Sequence, residues 1–194
     1  MPNNKPKLVL GSQSPRRRDL LKQIGITPDV IHAADLDESV RPRELPAPYV
    51  LRVAKEKNAA IAEKFPDAFV ITGDTTVAVG RRILGKAANE AEAKEMLRLL
   101  SGRAHKIITA VVVRAPNGKV GHRTTTSRVK VKRLSEKELD NFIATGEWED
   151  CAGAYKFQGN FAQYILNAEG SITGIIGLPL HETSALLRGL GYDF

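Results

Sequence analysis

The chain predicts a mixed α/β fold, a twisted sheet flanked by helices, and three observations carry that expectation. Apolar runs of strand length are interspersed with amphipathic stretches of helix length along all 194 residues. Some neighbouring strand candidates are joined by tight turns such as Pro116-Asn117-Gly118, which a purely parallel sheet does not allow. The 42% hydrophobic share suits one large domain or two small lobes better than several independent domains.

Residues 7–10 read as a short buried strand. A helix follows, with Ser14 at its N-cap, Pro15 at the favoured first position, Leu20, Leu21 and Ile24 on one face, and Gly25 at its end. Residues 29–33 are a second strand candidate, followed by the acidic loop Asp35-Leu36-Asp37-Glu38 and a proline-rich link to Pro48. The next helix is expected from Tyr49 to Lys64, with Val50, Val53, Ala54 and Ile61 on one stripe. Residues 69–79 read as a strand running past Gly73-Asp74, with Gly80-Arg81 as a hairpin tip before Ile83-Leu84. Asn89 and Glu92 form a capping pair for a helix that ends near Ser101-Gly102. Residues 107–113 and 126–131 are strand candidates, and 134–144 a helix capped by Ser135 with Glu138 at the box position. After a glycine-studded stretch at 146–159, two more strands are expected at 161–167 and 171–176, and a last helix from Pro179.

Composition narrows the function. A net charge of +7 suits phosphate-bearing partners, either nucleic acid or nucleotides. An aromatic share of 6% argues against a stacking platform for single strands. The basic residues from Arg123 to Arg133 alternate with Val129 and Val131, the outward face of a half-buried strand in preference to a nucleic-acid track. No run approaches the ~18 to 20 apolar residues of a membrane span. Met1 to Lys7 carries the charge of a signal-peptide beginning without a long apolar stretch behind it, so a cytoplasmic protein is expected. The lone Cys151 reads as a small packed residue, and His32, His105, His122 and His181 show no metal-ligand spacing.

Four features point to chemistry. Helix starts favour acids, yet the first turn after Ser14-Pro15 holds Arg16, Arg17 and Arg18. Three cations at that pole are either a solvated basic end or an anion site, and their clustering behind a Ser-Pro start favours the anion site. Gly73-Asp74 interrupts a β-favouring run. It is either a turn or a carboxylate able to hold a cation or activate water. Glu38 is a second hard oxygen donor if its loop is not merely solvated. Lys57 falls on the apolar stripe of its helix, where it must snorkel out or meet an anion. Gly80 to Ala87 is one residue short of a P-loop and lies in a hairpin context, so that motif is rejected and Lys86 kept as a phosphate contact.

These segments together resemble the Maf family of nucleoside triphosphate pyrophosphatases over nearly the whole chain. The resemblance rests on Ser12-Gln13-Ser14-Pro15-Arg16-Arg17, Gly73-Asp74-Thr75, Gly85-Lys86, Leu100-Ser101-Gly102 with His105, Cys151 to Tyr155 with Gln158-Gly159, and Gly177-Leu178-Pro179-Leu180. It implies that residues 1–194 form a single α/β domain of the Maf and inosine triphosphatase-like type, with two lobes and a central cleft. It also implies a homodimer and a divalent-metal-dependent reaction that releases a nucleoside monophosphate and pyrophosphate. Asp74 looks like the family's catalytic carboxylate, and Ser14, Arg17, Glu38, Lys57 and Lys86 like its other polar cleft residues. Arg16, Thr75 and Gln158 match the positions that separate the subgroups, and look like the dTTP and UTP subgroup. Ala87 departs from the usual proline, and Lys156-Phe157 from the usual small and aliphatic pair before Gln158.

The expected mechanism has Arg16, Arg17 and the helix amides holding phosphates, with Lys57 and Lys86 neutralising the rest. Magnesium or manganese on Asp74 and Glu38 assists, Asp74 activates water, and Gln158 reads a pyrimidine edge. The alternatives are the same reaction on another or modified nucleotide such as 7-methyl-GTP, and a non-catalytic nucleotide- or nucleic-acid-binding regulator. The expected partner is a nucleoside triphosphate, with no stable nucleic acid and no membrane.

Overall fold

The computed structural model describes residues 6–194, so the start of the chain read above as lacking a leader lies almost wholly outside the described residues. In chain order the elements are β1 (Leu8–Leu10), α1 (Pro15–Gln23), β2 (Val30–Ile31), α2 (Pro46–Lys64), β3 (Phe69–Val79), β4 (Arg82–Leu84), α3 (Glu90–Leu100), β5 (Ala104–Arg114), β6 (Val120–Val131) and α4 (Glu136–Ile143). A 3-10 turn (Asn160–Tyr164), β7 (Ile165–Glu169), α5 (Ile172–Ile176) and α6 (Leu180–Gly189) complete the chain.

Local signals set most boundaries. Asn89 accepts the amide of Glu92 at the start of α3, and Ser135 with Glu138 forms a full capping box on α4. Helix α2 starts three residues earlier than expected, because Pro46 and Pro48 fall in its first turn, where the amides that proline lacks have no intrahelical partner. The turn reading of Gly73-Asp74 is overturned, since β3 is continuous from Phe69 to Val79 and pairs with β5 through both residues. Strand β2 is only two residues long.

The expected strand at 171–176 is also wrong. Ser171 caps a short helix there by accepting the amide of Gly174, and Thr109 donates to the Gly174 carbonyl at 2.7 Å. Tertiary bonds override the β preference of Ile172, Thr173, Ile175 and Ile176. The strand expected at 161–167 divides into the 3-10 turn and β7, because Phe161 turns inward to pack on Phe142 and Tyr155, and Tyr164 packs edge-on against Phe161.

The sheet runs β2-β1-β3-β5-β6-β7, with β4 paired to β3. β1 is parallel to β2 and β3, whereas β3, β5, β6 and β7 are antiparallel neighbours. Leu20 and Leu21 of α1 pack with Leu8, Leu10 and Ile71, whereas Ile61 of α2 packs with Val9 and Val70. Side chains alternate along a strand, so the two helices lie on opposite faces. A crevice therefore opens past the carboxyl end of β1, beside the middle of β3, near the usual ligand position in open α/β sheets. β1 pairs with β3 only as far as Ile71 and β4 takes up the same edge at Val77, which leaves the stretch from Thr72 to Thr76 unpaired there.

Candidate active site

The crevice is a cavity of about 680 Å³, a size that suits a nucleotide. Ser14, Arg16, Arg17, Glu38, Lys57, Asp74, Thr75, Lys86 and Gln158 all line it, so the structure brings together every site residue expected from the sequence.

The α1 end of the cavity is open to an anion. Ser14 is the N-cap, but its side chain makes no capping bond and the first turn holds no acid. Ser12 accepts the Ser14 amide at 3.2 Å instead. The amides of Arg16 and Arg17 thus keep the partial positive charge of a helix start. The three arginines differ. Arg18 sits outside beside Asp19, and Arg16 lies next to the Cys151 thiol. Arg17 is tied into the protein, donating from Nε to the Gly177 carbonyl at 2.8 Å and from its terminal nitrogens to Ser12 Oγ at 3.0 Å and Thr75 Oγ1 at 3.5 Å. Burial lowers its pKa, with Asp74 opposing.

Two glycines make room for that guanidinium. A Cβ on Gly73 would lie 3.7 Å from Arg17 Nε and only 2.9 Å from the Ala110 carbonyl oxygen; one on Gly177 would lie 3.8 Å from the same nitrogen. Gly177 also has φ +137°, a backbone region that disfavours side chains.

Asp74 is 7% exposed and forms the floor. Burial raises its pKa, while Lys57 and Arg17 oppose that effect, so the carboxylate is a stronger base than an exposed one. Lys57 resolves the choice its helix face posed by meeting anions. Its Nζ is 2.9 Å from Glu38 Oε1 and 3.1 Å from Asp74 Oδ1. Glu38 is held in place by contacts that the sequence reading missed. Tyr49 donates to the Glu38 carbonyl at 3.1 Å, and Arg52 binds both carboxylate oxygens of Glu44 at 2.7 and 2.8 Å. The Arg52 bond pulls the pKa of Glu44 down to about 2. Sequence periodicity places Arg52 off the apolar stripe, which gives no hint that it pins this loop.

The far wall is the 150–159 segment. Lys86 bridges to Ala152 through the backbone, and its exposed ammonium lies 3.2 Å from Asp150. The position of Lys86 before the capped start of α3 agrees with the rejection of a P-loop. Ala154 is held at φ +61°, a left-handed conformation that costs about 1–2 kcal/mol for a residue with a side chain. Tyr155 anchors the segment through a 2.6 Å bond to His105 Nε2, and Gln158 stands exposed at the rim. His105, given no role from sequence, is 2% exposed, with burial holding its pKa down at about 4. Cys151 is buried, donates to the Glu149 carbonyl at 3.1 Å, and has its pKa raised by burial, as befits a packed thiol.

No group of three or more His, Cys, Asp or Glu side chains among the described residues forms a metal cluster. The donor set still fits magnesium or manganese, which bind through one or two carboxylates plus substrate phosphates more often than in an all-protein cage. Asp74 and Glu38, both within reach of one ammonium, are the carboxylate pair that would hold the metal.

Fold and cleft together define an α/β protein whose crevice is built for a polyanion beside a basic carboxylate. The profile of the Maf-like protein family matches residues 7–190, and the chain belongs to that family. It is 50% identical over 192 residues to the dTTP/UTP pyrophosphatase of Hyphomonas neptunium, covering 99% of each chain. It is 52% identical over 184 residues to the protein of the same name from Cereibacter sphaeroides, covering 95% of each. Among solved structures it is similar to a HAM1 protein from Coxiella burnetii, with a TM-score of 0.50, 12% identity, and 95% of this chain and 99% of that one covered. At that identity the likeness concerns the fold alone.

Proposed function

We propose that this chain is a nucleoside triphosphate pyrophosphatase that cleaves dTTP and UTP between the α and β phosphates. The observation that carries the proposal is the buried Asp74 carboxylate on the floor of a cavity whose other end is the uncapped, arginine-rich start of α1. Relatives of about 50% identity that bear the name dTTP/UTP pyrophosphatase support the choice of substrate.

In this reading the α1 amides and Arg16 grip the phosphates, and Lys57 and Lys86 neutralise charge that builds up on the departing group. Arg17 acts from behind, fixing Ser12 and Thr75 and adding positive potential beside Asp74. Asp74 accepts a proton from water as the water oxygen bonds to phosphorus. The α–β anhydride bond breaks, and pyrophosphate departs with its electron pair from the nucleoside monophosphate. A magnesium or manganese ion held by Asp74 and Glu38 would add Lewis-acid stabilisation of the phosphate oxygens and a lower pKa for bound water. Gln158, with one amide donor face and one acceptor, reads the pyrimidine edge from the rim.

The resemblance also implies a homodimer, which sedimentation of the purified chain tests. The basic residues Arg128 and Lys130 alternate with buried Ser127, Val129 and Val131 on β6, which supports a solvated outer face in preference to a nucleic-acid track. Product analysis decides the reaction. Pyrophosphate and a monophosphate are expected from dTTP and UTP; inorganic phosphate and a diphosphate, or no product, would sink the proposal.

A further inference from the structure

Two carboxylates that face one cavity and share one cation are a feature that the steps above do not use. Lys57 Nζ lies 2.9 Å from Glu38 Oε1 and 3.1 Å from Asp74 Oδ1, and its side chain is only 11% exposed. The ammonium arrives from the apolar stripe of α2, between Val53 and Ile61, so it is largely shielded by the protein while its partner Glu38 is 44% exposed. It engages one oxygen of each of the two carboxylates that a divalent metal would use in this cleft.

The charge of the cavity matters as much as the contact. Its lining holds five cationic side chains, Arg16, Arg17, Lys57, Lys86 and Lys156, against the three carboxylates Glu38, Asp74 and Asp150, a net charge of +2. A bare dication meets net repulsion there, whereas a metal–triphosphate complex is a net anion and is drawn in. No third acidic, His or Cys donor among the described residues joins Glu38 and Asp74 to help a free metal displace the ammonium. A triphosphate changes this balance because its oxygens supply the missing ligands and also offer Lys57 another acceptor. A lysine ammonium on a flexible four-carbon stem can exchange one oxygen partner for another without moving the helix.

We infer that Lys57 is the resident counter-ion of the Glu38–Asp74 pair, so that the cleft takes up a divalent cation only together with a nucleoside triphosphate. Metal occupancy is thereby coupled to substrate arrival. The cleft avoids free metal, and the carboxylates are released for the metal when Lys57 transfers to phosphate. The inference rests on the proposed reading of the cleft as a metal-assisted triphosphate site.

Manganese(II) binding, followed by the loss of the paramagnetic resonance signal of the aqueous ion, tests it without turnover. The full chain is titrated alone and with a dTTP analogue that carries a methylene between the α and β phosphorus atoms. Wild type alone is expected to leave the signal nearly unchanged, and to quench it with the analogue beyond an analogue-only control. Lys57→Met is expected to bind manganese without nucleotide at least about tenfold more tightly than wild type. The gain should vanish in Lys57→Met combined with Glu38→Gln. Lys57→Gln serves the same purpose if the methionine variant does not fold. Wild type binding free manganese within threefold of the Lys57 variants overturns the inference, as does the absence of any gain in both variants. If wild type takes up no metal even with the analogue, the inference and the metal assistance fall together. Pyrophosphate release from dTTP by the same preparation then reports separately on the proposed reaction.

Discussion

Replacing Asp74 by Asn separates catalysis from folding, because the structure sends the two effects in opposite directions. The side chain is 7% exposed, and burial raises its pKa despite Lys57 and Arg17. A carboxyl whose folded pKa is raised binds its proton more tightly when folded, so its ionised form weakens the fold. That cost grows as pH rises from the unfolded to the folded pKa, and is complete above the folded pKa. Asn removes the charge and keeps an oxygen that can accept from Lys57, which also retains Glu38 at 2.9 Å. Exchanging a charged acceptor for a neutral one weakens that hydrogen bond by about 1 kcal/mol. The raised pKa means that relief of the buried charge outweighs this loss. About 1 kcal/mol moves Tm by roughly 2–4 °C in a chain of this size. Asp74→Asn should therefore melt at or a few degrees above wild type at pH 7, and the difference should shrink in acid. Loss of the general base should lower kcat by about 10² to 10⁴. Scanning calorimetry at neutral and acid pH, paired with a pyrophosphate-release assay, checks both. A fall in Tm of more than about 5 °C, or turnover within about tenfold of wild type, would refute the reasoning.

Three other outcomes follow from the same geometry. His105 has a folded pKa of about 4 against an ordinary 6.5, so its neutral form supports the fold above pH 6.5 and that support is lost as pH falls towards 4. The loss is on the order of 3 kcal/mol, and urea unfolding at the two pH values should show much less of it in His105→Phe. Gly73→Ala places a Cβ 2.9 Å from the Ala110 carbonyl oxygen, so β3 and β5 must part. A loss of about 1–3 kcal/mol is expected, and unchanged denaturant midpoints would show that the strands yield freely. Gln158→Leu leaves a base edge unpaired and should lower kcat/KM on dTTP and UTP by about tenfold or more. A smaller effect than on purine nucleotides would remove Gln158 from base reading.

Much of the fold is legible in the chain because its signals are local. The Asn89 and Ser135 caps, the Pro15 start, the Gly80 hairpin tip and the buried stripe of α2 each need only neighbours within a turn or two. Residues 171–176 misled for the same reason. Their β-branched side chains favour a strand, and the helix forms only because Thr109 and Ser171 bond Gly174. For the cleft, the oddities were visible without their partners. Three arginines at a helix start, a lysine on an apolar stripe and an aspartate in a buried strand each require an anion or a cation, but nothing local says which.

By itself the sequence determined most of the element order, the family and the set of polar residues that need opposite charges. Only the tertiary structure decided which charges meet. It set Lys57 on Glu38 and Asp74, 17 residues from the latter; tied Arg17 to Gly177, 160 residues away; and joined His105 to Tyr155 across 50. Helix and turn propensities act within a few residues. Pairing of buried charges depends on distances of a few ångströms between segments that only the folded sheet brings together.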